Sequence, residues 1–253
     1  MSGRHLPPIR TPAIRGQPAQ PHDWWPLAVG MIAMTILLWP SRGVVPLFDG
    51  WSFARCALDA SWVAVRCEGH PTVGWGVVMA ASRLWSIPGA TALFLPSLLF
   101  GAVALMGVDR LARATLGHDG WIERGLLVVA LAVHPAFLST VLQPNLDLAL
   151  SAWAFWTFAG VARGSLREVV GFGTLMVFSK ETGLMLYAAA GVVLWWRAVG
   201  RGEAVRTSAA LLVPLVLFAG FLLLPQPEPM YFGGGKVATS SNFHPFDVWN
   251  RQL

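Results

Sequence analysis

A lysine and a glutamate interrupt the apolar middle of this chain. Eleven uncharged residues, 169–179, precede Lys180 and Glu181, and fifteen more, 182–196, follow them. Charged side chains in a membrane segment cost roughly 2.5–3.5 kcal/mol each, so they usually mark function. A helix that starts near Arg167 rises only ~20 Å before Lys180, less than the ~30 Å hydrocarbon core. The pair is therefore predicted at the floor of a cavity open to one membrane face, within reach of a lipid phosphate. A structural ion pair that joins two helices is the alternative.

Composition indicates a membrane protein. Hydrophobic residues make up 55% of the chain and charged residues 12%, with a mean hydropathy of +0.57, which is too apolar for a soluble domain. Thirteen tryptophans fit anchoring at the membrane interface, and Trp24, Trp25 and Trp39 bracket the first apolar segment. The net charge of +5 does not indicate nucleic-acid binding, because the arginines are scattered between apolar segments and form no basic stripe.

The apolar segments predict an all-α fold, a polytopic transmembrane helix bundle of about seven spans within residues 24–225. The first segment, 24–40, is longer than a signal-peptide core and has no clear cleavage site after it, so we interpret it as a retained anchor. Residues 1–23 are predicted to be a basic, flexible tail, and residues 226–253 a second tail on the opposite face. The other predicted spans are 91–114, 121–141, 146–162, 168–178, 182–196 and 207–224.

The arginines set the predicted orientation, since cytoplasmic loops carry an excess of Lys and Arg. A cytoplasmic N-terminus puts eleven of the eighteen basic residues on that face. Residues 70–86 are apolar enough for a helix, but counting them as a span would move three of these arginines outside. They are therefore predicted to lie in the outer interface, or to dip into the membrane and return. The eleven are Arg4, Arg10, Arg15, Arg110, Arg113, Arg124, Arg163, Arg167, Arg197, Arg201 and Arg206.

The long outer loop, 42–90, is predicted to carry interfacial helices. Residues 49–62 have an amphipathic pattern, which places Trp51, Leu58 and Trp62 on one helical face. Cys56 and Cys67, the two cysteines of the chain, both fall in this loop. They form a disulfide if the compartment is oxidising, and two buried thiols are the alternative.

Several polar residues at predicted outer helix ends are candidate site residues. Asp49 follows the first span, where its carboxylate can act as a general base on a hydroxyl or cap the next helix. His70, before Pro71, can bind a phosphate or a metal, or can be a cap or turn residue. Asp147 opens the fourth span and can face the cavity of Lys180. The alternative is that Asn145 or Asp147 simply caps that helix. His134, before a proline in the third span, predicts a kink with its imidazole bonded to a neighbouring helix.

These motifs together resemble the membrane module of GT-C glycosyltransferases, in particular the bacterial relatives of protein O-mannosyltransferases and aminoarabinose transferases. The resemblance covers residues 24–225 and depends on the order and spacing of five short motifs. They are an acidic residue after the first span, a His-Pro pair, a Leu-Pro-Ser turn before a long span, an Asp that opens the fourth span, and a Ser-Lys-Glu-Thr-Gly motif between two short helices. The matching residues are Asp49, His70-Pro71, Leu95-Pro96-Ser97, Asp147 and Ser179-Lys180-Glu181-Thr182-Gly183.

The resemblance implies a polyprenyl-phosphate-sugar-dependent glycosyltransferase of the bacterial cytoplasmic (inner) membrane. It would move a hexose or pentose, with inversion, from the lipid carrier to an acceptor on the outer face. Asp49 would take the proton from the acceptor hydroxyl, and Lys180 and Glu181 would lie at the donor site. Lys180 would neutralise the departing lipid phosphate, while His70 and Asp147 would shape the donor site. The donor is a lipid-linked sugar, and participation of a divalent metal is left open.

Three departures from the family pattern favour a second interpretation. Gly50 stands where many relatives have a second acidic residue, and Phe94 stands where they commonly have an arginine. Relatives also continue for several more spans, so the chain is expected to be the N-terminal part of such an enzyme or a short form completed by a partner. The alternative is a non-catalytic membrane subunit that keeps the fold and packs in a larger membrane complex.

Overall fold

The computed structural model describes residues 24–43, 66–67, 70–80, 90–117, 120–143 and 145–223, and in these ranges the chain is almost entirely helical. Helix α1 (Trp25–Leu38) ends in a 3-10 turn (Trp39–Ser41). A short antiparallel ladder pairs β1 (Arg66–Cys67) with β2 (His70–Pro71). The remaining helices of the described ranges are α2 (Val73–Ala80), α3 (Ala90–Leu116), α4 (Trp121–Val133), α5 (Pro135–Leu142), α6 (Leu146–Arg163), α7 (Leu166–Val177), α8 (Thr182–Val199) and α9 (Ala204–Leu223).

Helix α6 lies at the centre of the bundle, between α3 and α7. Ten of its 18 residues are buried. One apolar cluster packs it against α1, α3 and α4 and includes Met34 and Val128. A second cluster packs it against α7, α8 and α9 and includes Met176, Tyr187 and Phe218. Because both clusters share α6, a polar side chain at either end of this helix lies where the two halves of the bundle meet.

Three helices of the described residues are long and apolar enough to cross a membrane: Phe94–Leu116 within α3, then α8 and α9. The bent pair of α4 and α5 makes a fourth if it counts as one span. A helix occupies each of the seven predicted segments. Helix α7, however, has 12 residues and is only ~18 Å long, which is too short to cross the ~30 Å core alone. The membrane-protein class is therefore supported, whereas the number of seven spans stays a prediction.

The surface of the last two helices fits an apolar solvent. Large apolar side chains of α8 and α9 are exposed, among them Met185, Trp196, Val216 and Leu223. Soluble proteins rarely expose contiguous apolar surface on this scale, because leaving it in water is unfavourable. In a bilayer the same side chains contact lipid tails.

The kink predicted at His134 is confirmed, but its hydrogen bond differs from the prediction. Helices α4 and α5 meet there at 54°. The imidazole Nδ1 accepts a hydrogen bond from the backbone N–H of Ala136, at 3.3 Å, so it caps its own next helix instead of bonding to a neighbour. Pro135 occupies the first position of α5, where the missing N–H has no helical partner to lose.

The Leu95-Pro96-Ser97 segment was predicted as a turn before a long span, and this is wrong. It lies inside α3, which begins at Ala90, and Pro96 is an internal residue of that helix. Phe94, at the position where relatives of the resembled family carry an arginine, is buried and packs edge-on against Trp39, with ring centroids 6.3 Å apart. This position therefore supplies an apolar contact to the bundle.

Helix α2 is the described part of the segment 70–86 that was not counted as a span. Its eight residues extend only ~12 Å, and the placement of the whole segment at the outer interface stays a prediction. The backbone of Gly74 lies directly on the end of α7: its N–H donates to the carbonyl of Phe178 at 3.0 Å. The indole N–H of Trp153 donates to the carbonyl of Gly74 at 2.8 Å. Helix α2 is thereby attached to both α6 and α7.

We expect Gly74→Val to detach α2 from the bundle. A Cβ at this position would overlap the carbonyl oxygen of Leu175 and the hydroxyl of Ser179, and a backbone oxygen cannot move aside cheaply. Overpacking of this kind costs about 1–3 kcal/mol. The expected result is a lower thermal unfolding midpoint of the detergent-solubilised protein, with faster proteolysis near α2.

The matched control is Gly171→Ala, because a Cβ at Gly171 meets nothing within 4 Å. Alanine in a helix interior is favoured over glycine by roughly 0.5–1 kcal/mol, so this variant should be as stable as the wild type or slightly more stable. If Gly74→Val and Gly171→Ala have equal unfolding midpoints, then α2 does not pack closely against α7.

Candidate functional site

Two ion pairs lie side by side at one end of the bundle, which we call the Lys180 end. It is formed by the N-termini of α6 and α8 and the C-terminus of α7. The ammonium of Lys180 donates to Oδ1 of Asp147 at 2.6 Å. Next to it, Nδ1 of His70 lies 2.9 and 2.8 Å from the two carboxylate oxygens of Glu181. The neighbouring residues Lys180 and Glu181 thus contact different elements: Lys180 contacts α6 and Glu181 contacts β2.

The break between α7 and α8 holds the Lys180 backbone in place. The hydroxyl of Ser179, which is fully buried, donates to the carbonyl of Leu175 at 2.7 Å. The N–H of Gly183 donates to the carbonyl of Lys180 at 2.9 Å. A side chain at Gly183 would overlap the carbonyl of Met176, so glycine permits the tight return into α8. Because the backbone is anchored on both sides, the ammonium moves only by its own side-chain rotations.

Asp147 is available to Lys180 because another residue caps its helix. The side chain of Asn145 accepts the hydrogen bond from the N–H of Asp147 at 2.8 Å, so Asn145 is the N-cap of α6. Asn145 is therefore the cap of this helix, while the convergence of Asp147 with Asp49 in one cavity stays a prediction. Its carboxylate contacts Lys180 from the first turn of α6, where the helix dipole also favours a negative charge.

Both pairs at the Lys180 end are accessible. The side chains of Lys180 and Asp147 are 29% and 49% exposed, and those of His70 and Glu181 are 39% and 46% exposed. Exposed ion pairs typically contribute about 0–1 kcal/mol to stability, because water solvates the separated charges well. Such pairs are weak as structural ties and are easily exchanged for another charged partner. The interpretation of Lys180 as part of a purely structural ion pair also fits the contact.

The predicted site residues are brought together in part. His70, Asp147, Lys180 and Glu181 all lie at the Lys180 end, as expected from their positions at helix ends. His70 was a candidate for binding phosphate or a metal, and in the structure it pairs with Glu181. Asp49 lies outside the described residues, as do the amphipathic segment 49–62 and Cys56, so the predictions on them stay predictions.

A second polar cluster at the opposite end was missed. We call this end, where α3 and α6 finish and α4 and α7 begin, the arginine end. Asp109 is buried there and pairs with Arg113 at 2.8 Å and with Arg124 at 3.1 Å. Glu168 pairs with Arg110 at 2.8 Å and also with Arg163.

The buried arginine was the least predictable feature of this cluster. Arg124 was predicted on the cytoplasmic face, near the start of the span 121–141, and its side chain is only 2% exposed. The signal that could have found it is Asp109, a carboxylate inside the predicted span 91–114, because such a charge needs a cationic partner. The cluster connects α3, α4, α6 and α7 and leaves the Lys180 end as the more accessible of the two.

Among the described residues, no group of three or more His, Cys, Asp or Glu side chains comes together to hold a metal ion. At the Lys180 end the ammonium of Lys180 is paired with Asp147, and a second carboxylate, Glu181, lies beside this pair. Comparison of the chain with protein families, with curated proteins and with solved structures finds no match.

Proposed function

We propose that this chain is an integral membrane glycosyltransferase of the GT-C type. It transfers a sugar from a polyprenyl-phosphate donor to a hydroxyl acceptor on the outer face of the bacterial cytoplasmic membrane. The observation that carries the proposal is the meeting of His70, Asp147, Lys180 and Glu181 at one accessible end of an apolar helix bundle. These residues come from positions far apart in the sequence, and all of them belong to the motifs that resemble this family.

The proposed chemistry needs one base and one cation. The acceptor hydroxyl attacks C1 of the sugar while the bond from C1 to the phosphate oxygen breaks. Asp49 takes the proton of the hydroxyl, and polyprenyl phosphate leaves as an anion. Lys180, with its ammonium in the accessible Lys180 end, stabilises the charge that grows on this phosphate. The contact of His70 with Glu181 attaches one point of the predicted outer loop, 42–90, to the start of α8.

A second candidate function is that of a non-catalytic membrane subunit in a larger complex. Two observations favour it. Phe94 packs in the core where the resembled family commonly supplies an arginine. The exposed apolar face of α9 offers surface for another membrane helix as well as for lipid. In this case the ion pairs of the Lys180 end would serve only to hold α6 and β2 to the turn between α7 and α8.

The two functions are separated by complementation in cells. In a strain that lacks the chain, the wild-type gene should restore the outer-face glycan, and Lys180→Gln should not restore it at equal protein level. The matched control is Lys180→Arg, which keeps the cation and should restore most of the glycan. Full restoration by Lys180→Gln would contradict the glycosyltransferase proposal and favour the subunit.

The proposal places the Lys180 end on the outer face and the N-terminus in the cytoplasm. In a variant with Cys56 and Cys67 replaced by serine, single cysteines at positions 45 and 240 should react with a membrane-impermeant maleimide from outside intact cells. Both should react because an odd number of spans puts them on the same face. Labelling of the two positions from opposite sides would contradict this topology.

A further inference from the structure

Resting on the function proposed above, we propose that Asp147 is a displaceable counter-ion of Lys180. Its carboxylate occupies the place at the ammonium that a phosphate oxygen of the polyprenyl headgroup takes on binding. Asp147 is then a positioning residue: it holds the ammonium ready before the donor arrives and competes with the phosphate afterwards. The observation behind this is a short, single-oxygen contact, from Nζ to Oδ1 at 2.6 Å, between two accessible side chains.

Exchange is favoured over simultaneous binding of both anions. An ammonium has three donors, so the hydrogen bonds alone would allow a carboxylate and a phosphate together. The two anions would then lie close to each other, and like charges at short range repel. The anchored backbone of Lys180 limits how far its ammonium can move to meet a phosphate elsewhere. Departure of the carboxylate removes this repulsion, so exchange is preferred to binding of both anions.

Asp147 can leave at little cost. Its side chain is about half exposed, so the released carboxylate is solvated at once. Its backbone N–H stays bonded to Asn145, so α6 keeps its cap when the side chain rotates. The N-terminus of α6 continues to stabilise the negative charge in the absence of Lys180. A buried ion pair would resist such an exchange, as the pair of Asp109 and Arg124 at the arginine end should.

The exchange has two consequences for the reaction. A neutral headgroup cannot replace the carboxylate, so the site discriminates for phosphate by charge. The returning carboxylate also competes with the departing polyprenyl phosphate and speeds its release. Removing the charge of Asp147 should therefore tighten headgroup binding and slow turnover, which lowers KM and kcat together. A merely structural Asp147 would weaken binding when it is replaced.

The test measures binding of polyprenyl phosphate to the full chain in phosphatidylcholine nanodiscs. Asp147→Asn should lower Kd by about fivefold, the size expected for loss of an exposed ion pair. Asp147→Glu should stay within about twofold of the wild type, since it restores the competing charge. Lys180→Gln should raise Kd by about tenfold or more, because a charge-assisted bond is lost, whereas Lys180→Arg should change it less. The double variant Asp147→Asn/Lys180→Gln should bind like Lys180→Gln alone.

Three controls assign the effect. Glu123→Gln removes an equal charge from an exposed residue in the first turn of α4, at the arginine end, and should leave Kd unchanged. Polyprenol, which lacks the phosphate, should bind without response to any of the variants. Inorganic phosphate should compete only weakly, because the lipid tail supplies apolar contacts that it lacks. All variants should elute as the wild type does in size-exclusion chromatography.

The outcomes separate this inference from the function on which it rests. One outcome is that Lys180→Gln binds polyprenyl phosphate more weakly, while the binding of Asp147→Asn is unchanged or weaker. This would overturn the counter-ion role alone. A second outcome is that Lys180→Gln and Lys180→Arg both bind polyprenyl phosphate with the Kd of the wild type. This would overturn both the phosphate site and the counter-ion role. Equal affinity for inorganic phosphate and polyprenyl phosphate would overturn the lipid headgroup as the ligand.

Discussion

Asp109→Asn should destabilise the bundle more than any other single charge removal among the described residues. Asp109 is 5% exposed and pairs with Arg124, whose side chain is 2% exposed. Removing one partner of a buried ion pair takes a compensating charge away from the other, at a cost of about 3–5 kcal/mol. The expected result is a fall in the thermal unfolding midpoint of the detergent-solubilised protein that far exceeds that of a surface variant.

Arg113→Gln is the matched control, because Arg113 pairs with the same carboxylate but is 35% exposed. An exposed pair at i,i+4 on a helix contributes about 0.3–0.5 kcal/mol, so this variant should change the midpoint little. A second test combines Asp109→Leu with Arg124→Met. Replacement of a buried ion pair by apolar side chains of similar volume is often neutral, so this double variant should recover much of the stability. Equal effects of Asp109→Asn and Arg113→Gln would contradict a buried pair at the arginine end.

Asp49→Asn should nearly abolish sugar transfer and leave donor binding intact. Asparagine keeps the shape of the side chain but cannot accept the proton of the acceptor hydroxyl. General base catalysis typically contributes 10²–10⁴-fold, so kcat should fall by about that factor while the Kd for the donor stays near that of the wild type. Single-turnover kinetics with a polyprenyl-phosphate-linked sugar measure both quantities.

Asp49→Glu is the informative companion, because it keeps the base but moves it by one methylene. Some activity should return, and its pH dependence should follow a single carboxylate. Loss of donor binding in Asp49→Asn would instead show that Asp49 holds the lipid-linked sugar or the outer loop. Unchanged turnover in Asp49→Asn would remove Asp49 from the mechanism.

Much of the helical framework was predictable from the apolar runs. Each of the seven predicted segments contains a helix, because an apolar run bounded by charges or by proline leaves few other ways to satisfy the backbone in lipid. Whether each helix crosses the membrane was less predictable. Helix α7 has the composition of a span, but its 12 residues are too few to cross the hydrocarbon core alone. The Leu95-Pro96-Ser97 turn came from the family resemblance, although the apolar run put these residues inside the predicted span 91–114. Membrane helices tolerate an internal proline, and Pro96 is one.

The candidate site was predictable as a set of helix ends and not as a set of contacts. Periodicity and charge bias put His70, Asp147 and Lys180 on one face, since each follows or precedes an apolar run. The pairing of His70 with Glu181 spans 111 residues of sequence, and no local pattern encodes a contact of that separation. Which residue caps α6 was also undecided, because Asn145 and Asp147 are both good caps and only the geometry distinguishes them.

The central claim is that the Lys180 end serves an outer-face transfer from a phosphate-linked donor. The most direct measurement reconstitutes the full chain in sealed vesicles with a radiolabelled polyprenyl-phosphate sugar and an acceptor fraction from the outer cell surface. The account predicts that label moves to the acceptor on the face that holds the Lys180 end, and that Asp49→Asn and Lys180→Gln each stop this transfer. Transfer that both variants retain, or a wild-type chain that neither binds nor consumes the donor, would contradict it.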